Sequence, residues 1–150
     1  MSFKNISLIA AAVLLATGGE LFATDRWETL QAINLVENPK NTSKPGSKGE
    51  LGPYQFREST WQMHTSKPFS MALQRDHADE VAVMHYEWLR RGLERNGLVA
   101  SPYNIALAWN AGLSAVINGR IGSRTRGYAG QVVNLVEELN RNQIASLAGN

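Results

Sequence analysis

The sequence predicts a mainly α-helical domain. Three observations carry this. Apolar residues recur at helical spacing in four separate stretches, helix start and stop residues bracket them, and period-2 alternation dominates nowhere. The chain has 150 residues, of which 43% are hydrophobic and 19% charged, a composition suited to one globular domain with its own core. It has no cysteine, which excludes disulfides, a thiolate metal site and a cysteine nucleophile.

The elements follow in order. Residues 1–23 read as a secretory signal peptide: Lys4 is the basic start, "ISLIAAAVLLA" is too short to span a bilayer comfortably, and cleavage after Ala23 is the candidate site. An uncleaved anchor is the alternative. Removal takes away Lys4 and Glu20, so the mature segment 24–150 keeps the net charge of +2, compatible with an anionic partner. A first helix runs through "TDRWETLQAINLVENP", capped by Thr24 or Asp25 with Glu28 placed for a capping box. Trp27, Leu30, Ile33 and Val36 share one side, and Asn38-Pro39 stops it. Residues 39–53 form a polar loop, and a small β-hairpin within 40–56 is a candidate feature. A short helix covers 57–64. The stretch 74–96 is the longest helical pattern, with Ala78, Val81, Ala82, His85, Trp88, Leu89 and Gly92 in one stripe and Gly97 as the stop. "SPYNIALAWNAG" begins with Ser101 as cap and Pro102 at the first helical position, and ends at Gly112. A turn follows, and "RTRGYAGQVVNLVEELNRN" is the last helix, with Tyr128, Val132, Leu135, Val136 and Leu139 on one side.

One carboxylate stands out. Glu37 ends the first helix on its apolar side, since four residues earlier comes Ile33 and seven earlier Leu30. A carboxyl facing a core is costly when charged, so its pKa rises, and a proton held near neutral pH makes a general acid. A residue of the last turn can instead point to water. The loop "GELGPYQF" then places Gly49, Gly52 and Pro53 before Gln55. Glycines let a backbone come close to a sugar, and an amide side chain both donates to and accepts from hydroxyl and N-acetyl groups.

Four motifs in this order give the chain a resemblance to the soluble lytic transglycosylase family of the lysozyme-like superfamily. They are Glu37 at a helix end; Gly49, Gly52 and Gln55 in the loop; Asn110, Ala111 and Gly112; and Tyr128 with Val132. The resemblance spans about residues 27–140 and implies a lysozyme-like fold. It also implies cleavage of the β-1,4 bond between N-acetylmuramic acid and N-acetylglucosamine in peptidoglycan, with a 1,6-anhydro product. Glu37 would serve as acid and then base. Gln55, Tyr54, Gly52 and Asn110 would bind substrate or shape its site, and Tyr128 would orient the glutamate. No cofactor is implied. The implied partner is the glycan strand, and the periplasm is the implied location, with an extracellular site as the alternative. No nucleic acid and no stable membrane insertion after signal cleavage are expected. An envelope or secretion-machinery partner remains open.

The chain departs from the family pattern where Pro53-Tyr54 precede the glutamine, where Gly46 holds a position commonly occupied by serine with Ser47 beside it, and where Trp109 replaces a tyrosine. Tyr54 is expected to stack on a sugar ring. Two rival readings stand: a muramidase using a second carboxylate, with Glu50, Glu58, Asp76 and Asp79 as candidates, and a silent glycan-binding envelope protein. His64, His77 and His85 lack the tight spacing of metal ligands. "RRGLER" reads as a solvated helix face, and the four tryptophans read as core, with one or two able to stack on sugar.

Overall fold

A computed structural model describes residues 26–149, and these are mainly helical. The expected signal peptide and the expected Thr24 or Asp25 cap fall outside the described residues. Helix α1 occupies 26–37. Helix α2, Glu58–Gln62, is followed by a 3-10 helix, Phe69–Leu73, and then by α3, Arg75–Arg95. Helices α4, Pro102–Ala111, α5, Leu113–Ile117, and α6, Ser123–Ala148, complete the chain. The 3-10 helix has no counterpart in the periodicity. It is a single tight piece after Pro68, in which only Ala72 is buried. The last helix extends beyond the apolar pattern through the exposed residues Ile144 and Leu147.

Sequence logic accounts for the helix ends. Ser101 Oγ accepts from the Asn104 N–H at 3.3 Å, and Pro102 sits in the first turn of α4. Gly112, at φ +88°, ends α4 in a conformation few other residues adopt. On α3 the expected stripe is buried at Ala78, Val81, Ala82, His85, Leu89 and Gly92, joined by Tyr86 and Leu93, while Trp88 is only half-buried. Leu30, Ala32 and Ile33 bring α1 into the same core as α3, Ile105 and Ala108 of α4, and Val132 and Val136 of α6. Helix α4 packs along α6 and against α5 and α3. Arg26 and Glu87 add a 3.0 Å ion pair between α1 and α3.

The expected hairpin is not formed. Leu51 and Phe56 make one isolated antiparallel bridge, with two 3.0 Å hydrogen bonds, and no strand extends from it among the described residues. Both Gly52 (φ +79°) and Gln55 (φ +48°) are left-handed, and Pro53 has no N–H, so the backbone between the bridged residues folds into a turn rather than a ladder. No described helix is long and apolar enough to cross a membrane.

Candidate active site

Two buried asparagines, Asn34 in the last turn of α1 and Asn38 just past its end, fix the loop beside Glu37. Asn38 Nδ2 donates to the Thr42 carbonyl at 2.9 Å and to the Gly52 carbonyl at 3.2 Å, while its Oδ1 accepts from the Thr42 N–H at 3.0 Å. One turn earlier, Asn34 Nδ2 lies 2.9 Å from the Pro53 carbonyl and 2.9 Å from Asn41 Oδ1. Asn34 Oδ1 accepts from Arg75 Nη1 at 3.0 Å. A polar loop cannot be held by apolar burial, so side-chain amides that copy the backbone's hydrogen bonding take that role.

The loop then curls back on itself. The Gly46 N–H donates to the Glu50 carbonyl at 2.8 Å, and Gln55 Nε2 donates to the Gly52 carbonyl at 3.0 Å. A Cβ on Gly46 would stand 2.5 Å from Glu50 Oε2 and 2.7 Å from Gln55 Oε1, so a larger residue would displace both side chains. Gln55 holds a left-handed backbone without being glycine, a strained conformation of the kind that collects at functional sites.

These turns shape a cleft of about 300 Å³ lined by Glu37, Gly46, Glu50, Gln55, Trp109 and Asn110, with Ser47, Phe56, Arg57, Thr60 and His85 completing its walls. Burial raises the pKa of Glu37. A nearby Tyr128 hydroxyl partly offsets that rise, and the charge of Glu50 adds to it. The Tyr128 hydroxyl is itself buried, and its own pKa is pushed far up by burial and by the glutamate. The two groups sense one another electrostatically, yet among the described residues no partner of the hydroxyl falls within regular hydrogen-bond geometry. Glu50 behaves in the opposite way. Its Oε2 accepts from the Lys48 N–H at 2.8 Å, which is the main reason its pKa is lowered, and Arg57 Nε stands 3.9 Å from Oε1. One cleft therefore holds a carboxyl that favours its proton and a carboxylate that does not, the division of labour that acid–base chemistry uses.

The structure brings Glu37, Gln55 and Asn110 to this cleft and sets Tyr128 beside Glu37. Asn110 is exposed, and its Oδ1 accepts from Thr125 Oγ1 at 2.9 Å, joining α4 to α6 at the rim. Two expected residues are elsewhere. Tyr54 is fully buried, so it cannot stack on a sugar. Its hydroxyl donates to Asp79 Oδ1 at 2.6 Å, and its ring supports Phe56 and Trp109 from behind. Gly52 faces protein rather than ligand, because a Cβ there would collide with the Ala72 carbonyl of the 3-10 helix. It borders a separate depression of about 380 Å³ with Pro53, Asn41 and Arg75. Gly49 does not line the cleft, and it serves the turn through its φ of +79°.

Sequence reasoning did not single out Asn34 or the placement of His85 at the cleft, and it marked Gly46 only as standing where a serine is common. The signal for Asn34 and Asn38 was present, since two amides one turn apart on the apolar side of a helix, next to a long polar loop, are suited to holding it. Among the tryptophans, Trp61 is core, Trp27 is exposed on α1, and Trp109 alone lines the cleft. Among the described residues no group of three His, Asp or Glu could hold a metal ion.

Comparison of the chain with protein-family models, with curated proteins and with solved structures found no match.

Proposed function

We propose that the protein is a peptidoglycan lytic transglycosylase in which Glu37 is the sole catalytic acid and base. The observation that carries this reading is a half-buried carboxyl at the end of α1, turned to an open polar cleft and raised in pKa by desolvation. Such a group holds a proton where an exposed glutamate has lost it, and can deliver that proton to a glycosidic oxygen. As the bond from the anomeric carbon to that oxygen breaks, the leaving sugar takes the proton and Glu37 becomes a carboxylate. Glu37 then removes the proton from the O6 hydroxyl of the muramic acid, and O6 closes onto the anomeric carbon. The O6 proton restores the acid form of Glu37, no water is consumed, and the product ends in a 1,6-anhydro sugar. The substrate's N-acetyl group shares the positive charge at the anomeric carbon, so one protein carboxylate suffices.

The remaining groups fit this chemistry. The Tyr128 hydroxyl favours the charged form of Glu37 and limits the rise in its pKa, which lets it work in both directions. Gln55 and Asn110 offer amides to hydroxyl and acetamido groups, and Trp109 adds an indole to the same wall. A lysozyme-like fold, passage across the inner membrane and action on the wall in the periplasm belong to the same reading.

Glu50 favours a second reading, hydrolysis. It shares the cleft and stays ionised, as a base that activates water must. An inverting hydrolase needs its carboxyls roughly 6.5–9.5 Å apart to seat that water. Purified peptidoglycan digested by wild type, Glu37→Gln and Glu50→Gln separates the two. The transglycosylase reading predicts that only Glu37→Gln is inactive. Equal loss in Glu50→Gln would transfer the assignment to hydrolysis.

A further inference from the structure

We infer that His85 contacts the glycan directly, through Nε2 in the wall of the cleft, and that His64 is the residue that positions it. This rests on the glycan-cleft reading above and assigns a specific polar contact within it.

His85 lies on the buried stripe of α3 and is only 7% exposed. An apolar residue would fill that place without the cost of desolvating an imidazole. Three aromatic rings hold it: Trp88 stacks on it at 5.7 Å, Trp109 meets it edge-on at 4.8 Å, and Phe56 does so at 6.4 Å. Its Nδ1 faces His64 Nε2 at 3.0 Å. Burial and the neighbouring His64 push the pKa of His85 down to about 3, and burial lowers that of His64, so both rings are neutral near pH 7.

Two neutral imidazoles in contact must divide the roles of donor and acceptor. Each carries one N–H, so the choice made at the shared contact fixes which role the other nitrogen of His85 can play. Among the described residues that other nitrogen, Nε2, has no hydrogen-bond partner and is not sealed from solvent, and the cavity that His85 lines is the one holding Glu37, Gln55 and Asn110. Trp109 shares this wall. A ring nitrogen with a fixed tautomer beside an indole suits an N-acetylated sugar, whose apolar side packs against the indole while a hydroxyl or acetamido group meets the nitrogen. His64 acts only through His85, by choosing its tautomer.

The test uses Glu37→Gln, in which the proposed acid is removed so that bound glycan should stay uncut, labelled with 15N at the histidine rings and titrated with soluble uncrosslinked peptidoglycan strands. Binding should shift the His85 Nε2 resonance. In the free protein, His64→Ala should move the His85 ring nitrogens from a single tautomer toward a mixture, a change that loss of packing alone would not produce. In kinetics, His85→Phe keeps an aromatic ring for Trp88 and Trp109 and should raise KM about tenfold with kcat within about twofold, the size of one lost hydrogen bond. The NMR readout does not depend on that variant folding. Strands that shift the Gln55 and Trp109 amides while His85 Nε2 stays still would overturn the inference and leave the glycan reading standing. Failure of the strands to bind, together with no cleavage by wild type, would overturn the glycan reading and this inference with it.

Discussion

Replacing Asn38 with alanine tests whether side-chain amides hold the cleft loop in place. Asn38 is 7% exposed, and its side chain makes three hydrogen bonds of 3.2 Å or less, two to Thr42 and one to Gly52. A net contribution of about 1 kcal/mol for each gives a loss of about 3 kcal/mol. The Gly52 carbonyl keeps its bonds from the Gln55 N–H and Nε2, at 3.1 and 3.0 Å, so the bond it loses leaves no bare acceptor. The Thr42 N–H and carbonyl lie on an exposed residue, where water can replace their partner, which brings the expected loss to about 2 kcal/mol. Asn38→Asp is the sharper companion. It keeps the acceptor for Thr42 but turns a carboxylate toward the Thr42 and Gly52 carbonyls, one residue from Glu37. It should therefore destabilise at least as much as alanine at neutral pH and recover on acidification. Urea titration followed by tryptophan fluorescence measures both, with activity read at a temperature where each variant remains folded. The alanine variant should also lose activity in its folded state, because Gly46, Glu50 and Gln55 all ride on the released loop. A stability change under 0.5 kcal/mol with full activity would refute the view that Asn38 anchors the loop.

Other variants probe the remaining assignments. Because burial raises the pKa of Glu37, the folded protein holds that proton at higher pH than the unfolded chain does. Glu37 thus contributes stability at low pH that is lost as the pH rises above the ordinary carboxylate range, and Glu37→Gln should remove this dependence while ending cleavage, as paired melts across pH would record. Tyr128→Phe removes the group that lowers the Glu37 pKa, so the alkaline limb of the pH–rate profile should move to higher pH; a limb that stays fixed would separate Tyr128 from the glutamate. Gln55→Gly relieves a left-handed backbone costing about 1 kcal/mol but gives up the 3.0 Å bond to Gly52, so melting should change little while activity falls at least tenfold. Tyr54→Phe deletes the 2.6 Å bond to Asp79 and should cost about 1–2 kcal/mol in denaturant titration with KM unchanged, the signature of a supporting residue rather than a contact to sugar.

The helices were legible because their signals are local. The apolar stripe of α3 and the Ser101-Pro102 start of α4 need only spacing and backbone chemistry, and both appear where they are expected. The placement of Glu37 followed from the same logic, since its position relative to Ile33 and Leu30 on α1 already turns it toward the core side. The loop was legible only in part. That "GELGPYQF" must turn was clear from its composition, but which of its glycines meets the cleft depends on what packs behind them. Gly52 is taken by the Ala72 carbonyl of a 3-10 helix with no periodicity to announce it, and Gly46, outside the motif, stands at the cleft instead. Tyr54 was misplaced for a related reason. Side chains on a tight turn do not alternate as on a strand, so the face a residue occupies is set by tertiary contacts, here Asp79 and the back of Trp109. The meeting of His64 with His85 joins α3 to the segment after α2, a long-range contact that no spacing rule exposes.

The central claim is that Glu37 cleaves peptidoglycan without water. The measurement that tests it most directly is mass spectrometry of the muropeptides released from purified sacculi by residues 24–150, with Glu37→Gln as control. The account predicts anhydro-muropeptides from the wild type and none from the variant. Reducing muropeptides, each heavier by one water, would contradict it.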